Sequence, residues 1–416
     1  MIARFHEKVL LELLQIFPVV AVIGPRQVGK STMVTSASIS EGRHYLTMDD
    51  ISLRSVAESD PKAFLARSEK LTIDEIQLVP DLLREIKYRV DKDRKPGQFL
   101  ITGSADLDHC ADLSEILAGR VGILRLPPVC QSEASGSTGW QPWLDASSVD
   151  YLDKAYSGKT SAVFNFNRLL TGGFPLALTA ANERARQLWF ESFRMTYLER
   201  DLRRISDISH LAEFNRLMEL TAGVSGTLLN QAHLARDAGM SPATAGRYLS
   251  VLEASLLIHR LSPYFTNIGK RLVKSPKLYW TDTGLCAYLL GLETVEQLNQ
   301  NPLLKGRLFE SFVMMEVKAL LEIAHPSARL LHLRTHDQLE VDGVIHRGLN
   351  DMLFEIKASQ TVTADDAKPM ERWMSHCKRN SIGVVIYPGT RYAILSNNVR
   401  AIPASMLFGT NKFKPV

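Results

Sequence analysis

The sequence predicts an α/β protein in three parts: a parallel-sheet domain built around a phosphate-binding loop, a helical and winged-helix middle, and a closing α/β unit. Three observations carry this prediction. Short apolar runs alternate with helical patterns over residues 1–128, the texture of a parallel sheet buried on both faces. A glycine-rich loop separates the first of these runs from the helix after it, at residues 24–31. Beyond residue 301 a long apolar helical stretch precedes four strand-like runs.

A length of 416 residues corresponds to about two or three domains. With 45% hydrophobic and 23% charged residues, the chain has the material for sizeable cores, which excludes disordered, collagen-like and mucin-like classes. The longest apolar stretch, residues 13–23, is broken by Gln15 and Pro18 and falls short of the ~20 residues a membrane span needs. Glu7 and Glu12 interrupt the first apolar residues, so no secretory signal is expected and the cytoplasm is the expected location. Cys110, Cys130, Cys286 and Cys377 contain no C-x-x-C pair, which supports neither a disulfide framework nor a zinc site. The net charge of +4 is too small to argue for or against nucleic acid.

In the first domain, strands are expected at 19–24, 44–48, 71–74, 99–104 and 122–126. Gly24-Pro25-Arg26-Gln27-Val28-Gly29-Lys30-Ser31 has the pattern G-x-x-x-x-G-K-[ST], and Thr32 extends it. The two glycines let the backbone curl until successive amides converge on phosphate oxygens, Lys30 reaches the outer phosphates, and the Ser31 hydroxyl can ligate Mg²⁺. An accidental glycine turn is the alternative, disfavoured by the strand before the loop and the helix after it. The run 71–75 ends in Asp74 and Glu75. Asp74 is expected to hold the metal shell through water and Glu75 to deprotonate the attacking water, although such a pair also caps helices. Strand 99–103 is expected beside the phosphate-loop strand, with Thr102 and Ser104 facing the γ-phosphate, unless they are simple turn formers. ATP and Mg²⁺ are therefore the expected ligands.

Residues 129–162 read as an irregular connector and 163–228 as a helical, lid-like region, in which the arginine-rich helix 182–204 resembles an interface surface laced with i,i+4 pairs. Within 229–300, residues 229–238, Gly239 and 241–253 have the shape of a helix-turn-helix. Tyr248, Leu249, Leu252 and Leu256 would bury one face and leave Thr244 and Arg247 outward. A hairpin tip follows at 267–270, and Lys270, Arg271, Lys274 and Lys277 lie along it with no acid between. A winged helix gripping a DNA backbone has this charge pattern, and so does a solvated face or a protein-contact module.

In 301–416, Glu310 lies in a helix, Asp342 in a strand, and Glu355 and Lys357 two apart at a strand end. The period of two puts Glu355 and Lys357 on one strand face. Glu310, Asp342 and Glu355 could hold a hard cation through oxygen, with Lys357 steadying developing charge.

These motifs resemble the AAA+ ATPases, and the likeness extends along the chain to one prokaryotic family through GPRQVGKS, LTIDEIQ, ITGSAD, LAGRV, GGFP, YLERDL, KSPKLYWTDTGL and the E-V-D…E-I-K-A-S series. The resemblance implies a nucleotide-driven homo-oligomer, ring-shaped or otherwise, whose subunits share sites through an arginine. Arg120 is the candidate for that arginine, or else it pairs with an acid or caps a helix. The C-terminal series resembles the PD-(D/E)xK nuclease fold, with Val341 where the name has proline. Two functions remain open: an ATPase that acts on DNA and carries a nuclease-like domain, or a nucleotide-dependent switch with protein partners and no nuclease activity.

Overall fold

The computed structural model describes residues 2–103, 115–136, 142–198, 211–264, 275–335, 339–377 and 379–409. It divides into two compact units, one of Ala3–Val129 with Ser250–Leu257, the other of Cys130–Leu249 with Ile258–Val416.

The first unit is a parallel sheet of β1 (Val19–Ile23), β2 (His44–Thr47), β3 (Leu71–Asp74), β4 (Phe99–Gly103) and β5 (Val121–Arg125), in the order β2-β3-β4-β1-β5. Every residue of β1, β3 and β4 is buried, as strands covered on both faces must be. The helix Leu82–Lys92 contributes Leu82, Leu83, Ile86 and Val90 to the core, a spacing that keeps one stripe inward. Asp50 and Asp60 cap the helices that follow them by accepting from Ser52 N and Ala63 N, satisfying amides that have no partner within the helix. β4 lies between β1 and β3, beside the phosphate-loop strand as expected.

In the second unit the expected connector holds the short helices Gln131–Ala134 and Val149–Tyr156. The latter is capped by Ser148 and buries Leu152 and Tyr156. The helix expected over 182–204 is regular from Glu183 to Phe193 and continues as a wider turn, Arg194–Leu198. Arg200, Arg203 and Arg204 of that expected helix lie outside the described residues.

A helix at Leu211–Gly223 then leads into β6 (Thr227–Leu228), helices Gln231–Ala238 and Pro242–Ala254, β7 (Ile258–Leu261) and β8 (Lys277–Trp280). The three strands pair antiparallel in the order β6-β8-β7. Asn230 caps the first helix of the pair, and Gly239 ends it at φ 77°, a left-handed conformation that suits glycine. Tyr248, Leu249 and Leu252 are buried as expected. Leu256 lies beyond the helix end, half-buried at φ 55°.

The chain closes with the helix Pro302–Ala324, then β9 (Arg329–Arg334), β10 (Glu340–Arg347), β11 (Asn350–Ile356), the helix Lys368–His376, β12 (Asn380–Tyr387), β13 (Ala393–Ile394) and β14 (Val399–Pro403). The sheet order is β13-β14-β12-β11-β10-β9. β9, β10 and β11 form an antiparallel meander, and β12 joins β11 in parallel after the helix.

Candidate functional site

The parallel strands place the phosphate loop and the acidic pair at one edge. β1 and β4 pair so that Val22 faces Thr102, and β3 runs beside β4 with Ile73 opposite Ile101. The loop after Ile23, the acids after Ile73 and Thr102 therefore share the carboxyl edge of three adjacent strands. Two strand spacings, about 10 Å in all, separate β3 from β1. β1 is also where successive connections diverge, since β2 lies three strands away on one side and β5 adjoins on the other. Ligands of open α/β sheets bind at such switch points.

The loop has the form of an anion cradle. Gly29 has φ 98° with open space where a Cβ would stand, whereas a Cβ on Gly24 would meet Leu126 O at 2.5 Å. Gln27, at φ 61°, is also left-handed. Lys30 is buried, and its Nζ donates to the carbonyls of Gly24 at 3.0 Å and Pro25 at 2.9 Å. The ammonium is thus folded over the loop it would share with a phosphate. Ser31 is half-buried, and Arg26 and Thr32 are exposed.

Asp74 is buried, and both its oxygens accept hydrogen bonds. Thr102 Oγ1 donates to one and Tyr45 OH donates to the other, the latter at 2.6 Å. Thr102 Oγ1 also accepts from the Glu75 amide at 3.3 Å, so a single hydroxyl aligns both acids. Glu75 sits at φ 56°, the kind of costly backbone found at functional turns, and its carboxylate accepts from the Gln77 amide. Tyr45 had no sequence signal as a site residue, because its only mark is an alternating position on β2. Burial and the bond to Asp74 push its phenol well above the usual range. Ser104 lies outside the described residues.

Within the single chain Arg120 pairs with an acid. Its Nε and Nη2 donate to the two oxygens of Asp91 at 2.5 and 3.0 Å. Its carbonyl accepts from Val19 N, so it stands at the edge of the sheet opposite the phosphate loop.

A second cluster lies wholly within the other unit, and here the structure corrects the expectation for Lys277. This residue is not an exposed DNA-gripping cation. It is 2% exposed on β8, and its Nζ lies 2.9 Å from Glu340 Oε1, 3.1 Å from Glu310 Oε1 and 3.3 Å from Asp342 Oδ1. Tyr279 shares the strand face two residues on and donates to Glu310 Oε1 at 2.8 Å. That period of two was legible in KLYW, but its partners were not. Burial acts to lower the Lys277 ammonium, and the carboxylates of Asp342, Glu310 and Glu340 outweigh it, holding the group above the usual lysine range.

Asp342 lies where β10 shifts register between Val341 and Val344, a bulge of the kind that re-aims a side chain. Its Oδ2 accepts from Ile356 N at 2.8 Å. Gly343 follows because the Phe354 ring covers it, leaving no room for a Cβ. Glu355 does not join Glu310 around a common cation as expected, and pairs instead with Lys357 at 2.9 Å. Burial and the charge of Asp342 push both Glu310 and Glu355 above the usual carboxylate range. Among the described residues no group of three or more His, Cys, Asp or Glu is placed to hold a metal ion.

On the helix pair, Arg247 is exposed and Thr244 is half-buried, its amide and hydroxyl both engaged by Ser241 at the helix start. Lys270, Arg271 and Lys274 lie outside the described residues.

The strand order, the phosphate loop and the acidic pair at the carboxyl edge define a P-loop ATPase domain that binds nucleotide. Residues 17–135 match the AAA domain family, and residues 165–296 and 305–407 match two domains of unknown function, DUF8612 and DUF4143. Two uncharacterized proteins, Mb2031c of Mycobacterium bovis and Rv2008c of Mycobacterium tuberculosis, are each 32% identical over 395 residues, covering 94% of this chain and 81% of theirs. The chain belongs to the family of these proteins. Among solved structures, the Walker-type ATPase PABY2304 of Pyrococcus abyssi is 15% identical with a TM-score of 0.44, covering 70% of this chain and 96% of that one. The RuvB Holliday junction branch migration motor of Thermotoga maritima is 18% identical with a TM-score of 0.26, covering 62% and 90%. No helix among the described residues is long and apolar enough to cross a membrane.

Proposed function

We propose that this ATPase is an AAA+ protein that uses ATP turnover to bind, remodel or move along DNA, working as a homo-oligomer in the cytoplasm. In the ATP site Lys30 neutralises the outer phosphates, the loop amides from Gly24 to Thr32 hold the remaining oxygens, and Glu75 takes the proton of the attacking water. The donor set suits a magnesium ion, which Ser31 and, through water, Asp74 would hold and which would supply further charge neutralisation.

The observation that carries the DNA reading is the order helix, β6, helix, helix, β7, β8 with strands arranged β6-β8-β7. This is the connectivity of a winged helix, with exposed Arg247 on its second helix and Lys270, Arg271 and Lys274 in the segment between β7 and β8. Such an assembly grips phosphates through its cations.

The helix-meander-helix-strand order of the C-terminal part matches the nuclease-like reading, with Glu310, Asp342, Glu355 and Lys357 at the positions that reading uses. The pairing of these acids with lysines favours a DNA-docking role for that part over cleavage. Binding of labelled duplex to the full chain, followed over a series of salt concentrations, tests the reading. Affinity should fall steeply with salt, and the fall should flatten in Arg247→Ala. Absence of binding at low salt would favour the alternative, a nucleotide-dependent switch with protein partners.

A further inference from the structure

Bringing Glu310 and Asp342 together largely out of solvent, with the more exposed Glu340 beside them, requires a counter-charge, because neighbouring carboxylates repel and are costly to desolvate. A nuclease-like domain would ordinarily meet that need with a divalent cation. Here a nitrogen stands at the centre. Lys277 Nζ has three carboxylate oxygens between 2.9 and 3.3 Å, and an ammonium has three donors. Tyr279 closes the side of Glu310, and the backbone of Ile356 takes the second oxygen of Asp342.

A hard cation needs its oxygens at about 2.0–2.6 Å, so it cannot share this space with the ammonium. Of Glu355, the remaining expected ligand, one oxygen is taken by Lys357 and the buried Oε2 has no hydrogen-bond partner. The three acids around Lys277 therefore leave no room for a divalent metal, and the cause is the ammonium itself.

We infer that Lys277 is the resident cation of this acidic centre, occupying with its ammonium the place a divalent ion would take, so that the C-terminal domain holds its charge without metal. The inference is independent of whether DNA is the partner. Lys277 reaches the centre from β8, far in sequence from the acids it neutralises, and the centre is complete only when the two segments meet.

The test uses the full chain without nucleotide, with Mn²⁺ as the probe. Free Mn²⁺ is followed by electron paramagnetic resonance in wild type, Asp342→Asn, Lys277→Gln and the double variant, each checked for folding by circular dichroism. Wild type and Asp342→Asn should bind Mn²⁺ alike. Lys277→Gln should gain one site at least about tenfold tighter than anything in wild type, and the double variant should lose it. A wild-type site abolished by Asp342→Asn overturns the inference, and this comparison stands even if Lys277→Gln does not fold. A folded Lys277→Gln that gains no site overturns it as well.

Discussion

Asp282 Oδ2 accepts a hydrogen bond from the backbone amide of Gly173 at 2.5 Å, while its Oδ1 caps the helix Thr283–Leu289 by accepting from Leu285 N at 2.7 Å. This joins two motifs, GGFP and DTGL, that had no visible chemistry as sequence. A Cβ on Gly172 would meet Asp282 Oδ1 at 2.3 Å, and one on Gly284 would meet Gly172 N at 2.6 Å. The glycines are there so that two backbones can approach around one buried carboxylate. Asp282→Ala should lose both the cap and the bridge and destabilise the protein by about 2–4 kcal/mol, read by urea denaturation. Gly172→Ala should be comparably damaging, because φ +69° and the clash act together. A midpoint unchanged in both variants would show that the Asp282 carboxylate does not hold the two segments together.

On the proposed reading, the phosphate loop serves binding and the acidic pair serves hydrolysis. Lys30→Ala should weaken nucleotide binding, since the phosphates lose their nearest cation. Glu75→Gln should keep binding and lose turnover by about 10²–10⁴. Fluorescent-nucleotide titration beside phosphate release checks both, and wild-type turnover in Glu75→Gln would show that the base lies elsewhere.

Arg120 makes two hydrogen bonds to Asp91 in the single chain, and the reading in which this pair is its role gives a definite expectation. Arg120→Ala should therefore leave ATP turnover within a few-fold of wild type, against the loss of about 10³ or more that removing an arginine finger causes. A loss of that size, with activity restored on mixing Arg120→Ala with Glu75→Gln subunits, would instead show that the arginine leaves Asp91 for a neighbour's phosphate.

The four cations grouped by sequence should divide in function. Replacing Lys270, Arg271 and Lys274 by Ala should weaken DNA binding and flatten its logarithmic salt slope by about one for each phosphate that is no longer neutralised. Lys277→Ala should leave the slope alone and destabilise the fold by about 3–5 kcal/mol, the usual consequence of stripping a partner from buried charges. Parallel changes in all four would place Lys277 back on the binding surface.

Burial pushes the Glu316 carboxyl from 4.5 up to about 7, against the opposing charge of Arg168. Its proton is bound more tightly in the folded state. The stability it contributes is therefore present below about pH 4.5 and lost as pH rises through 7. Melting temperature should fall between pH 5 and 8, and Glu316→Gln should remove up to about 3 kcal/mol of that dependence. An unaltered pH profile in Glu316→Gln would refute the assignment.

How much of this was legible beforehand depended on whether the physics was local. β1 and β3 stand at the residues their apolar runs marked, and the phosphate loop is a contiguous motif whose strand and helix announce it. β13 and β14 were not foreseen, since a two-residue strand has no periodicity and Val399–Pro403 includes Arg400 and Pro403, so pairing alone makes them strands. Lys277 was misplaced for a related reason. Among basic neighbours it reads as surface, and the carboxylates that bury it arrive 33 to 65 residues later in the chain. Tyr45 was invisible because a hydroxyl on an alternating strand position gains meaning only when β3 sets Asp74 beside it.

Whether ATP turnover serves work on DNA is decided by the hydrolysis rate of the full chain with and without duplex, single-stranded and branched DNA at several salt concentrations, with Glu75→Gln as the control. The rate should be several-fold higher with at least one of these DNAs, a stimulation that fades as salt rises and that Arg247→Ala with the Lys270, Arg271 and Lys274 replacements removes. Steady hydrolysis abolished by Glu75→Gln yet indifferent to every DNA at every salt would show that turnover is not coupled to DNA.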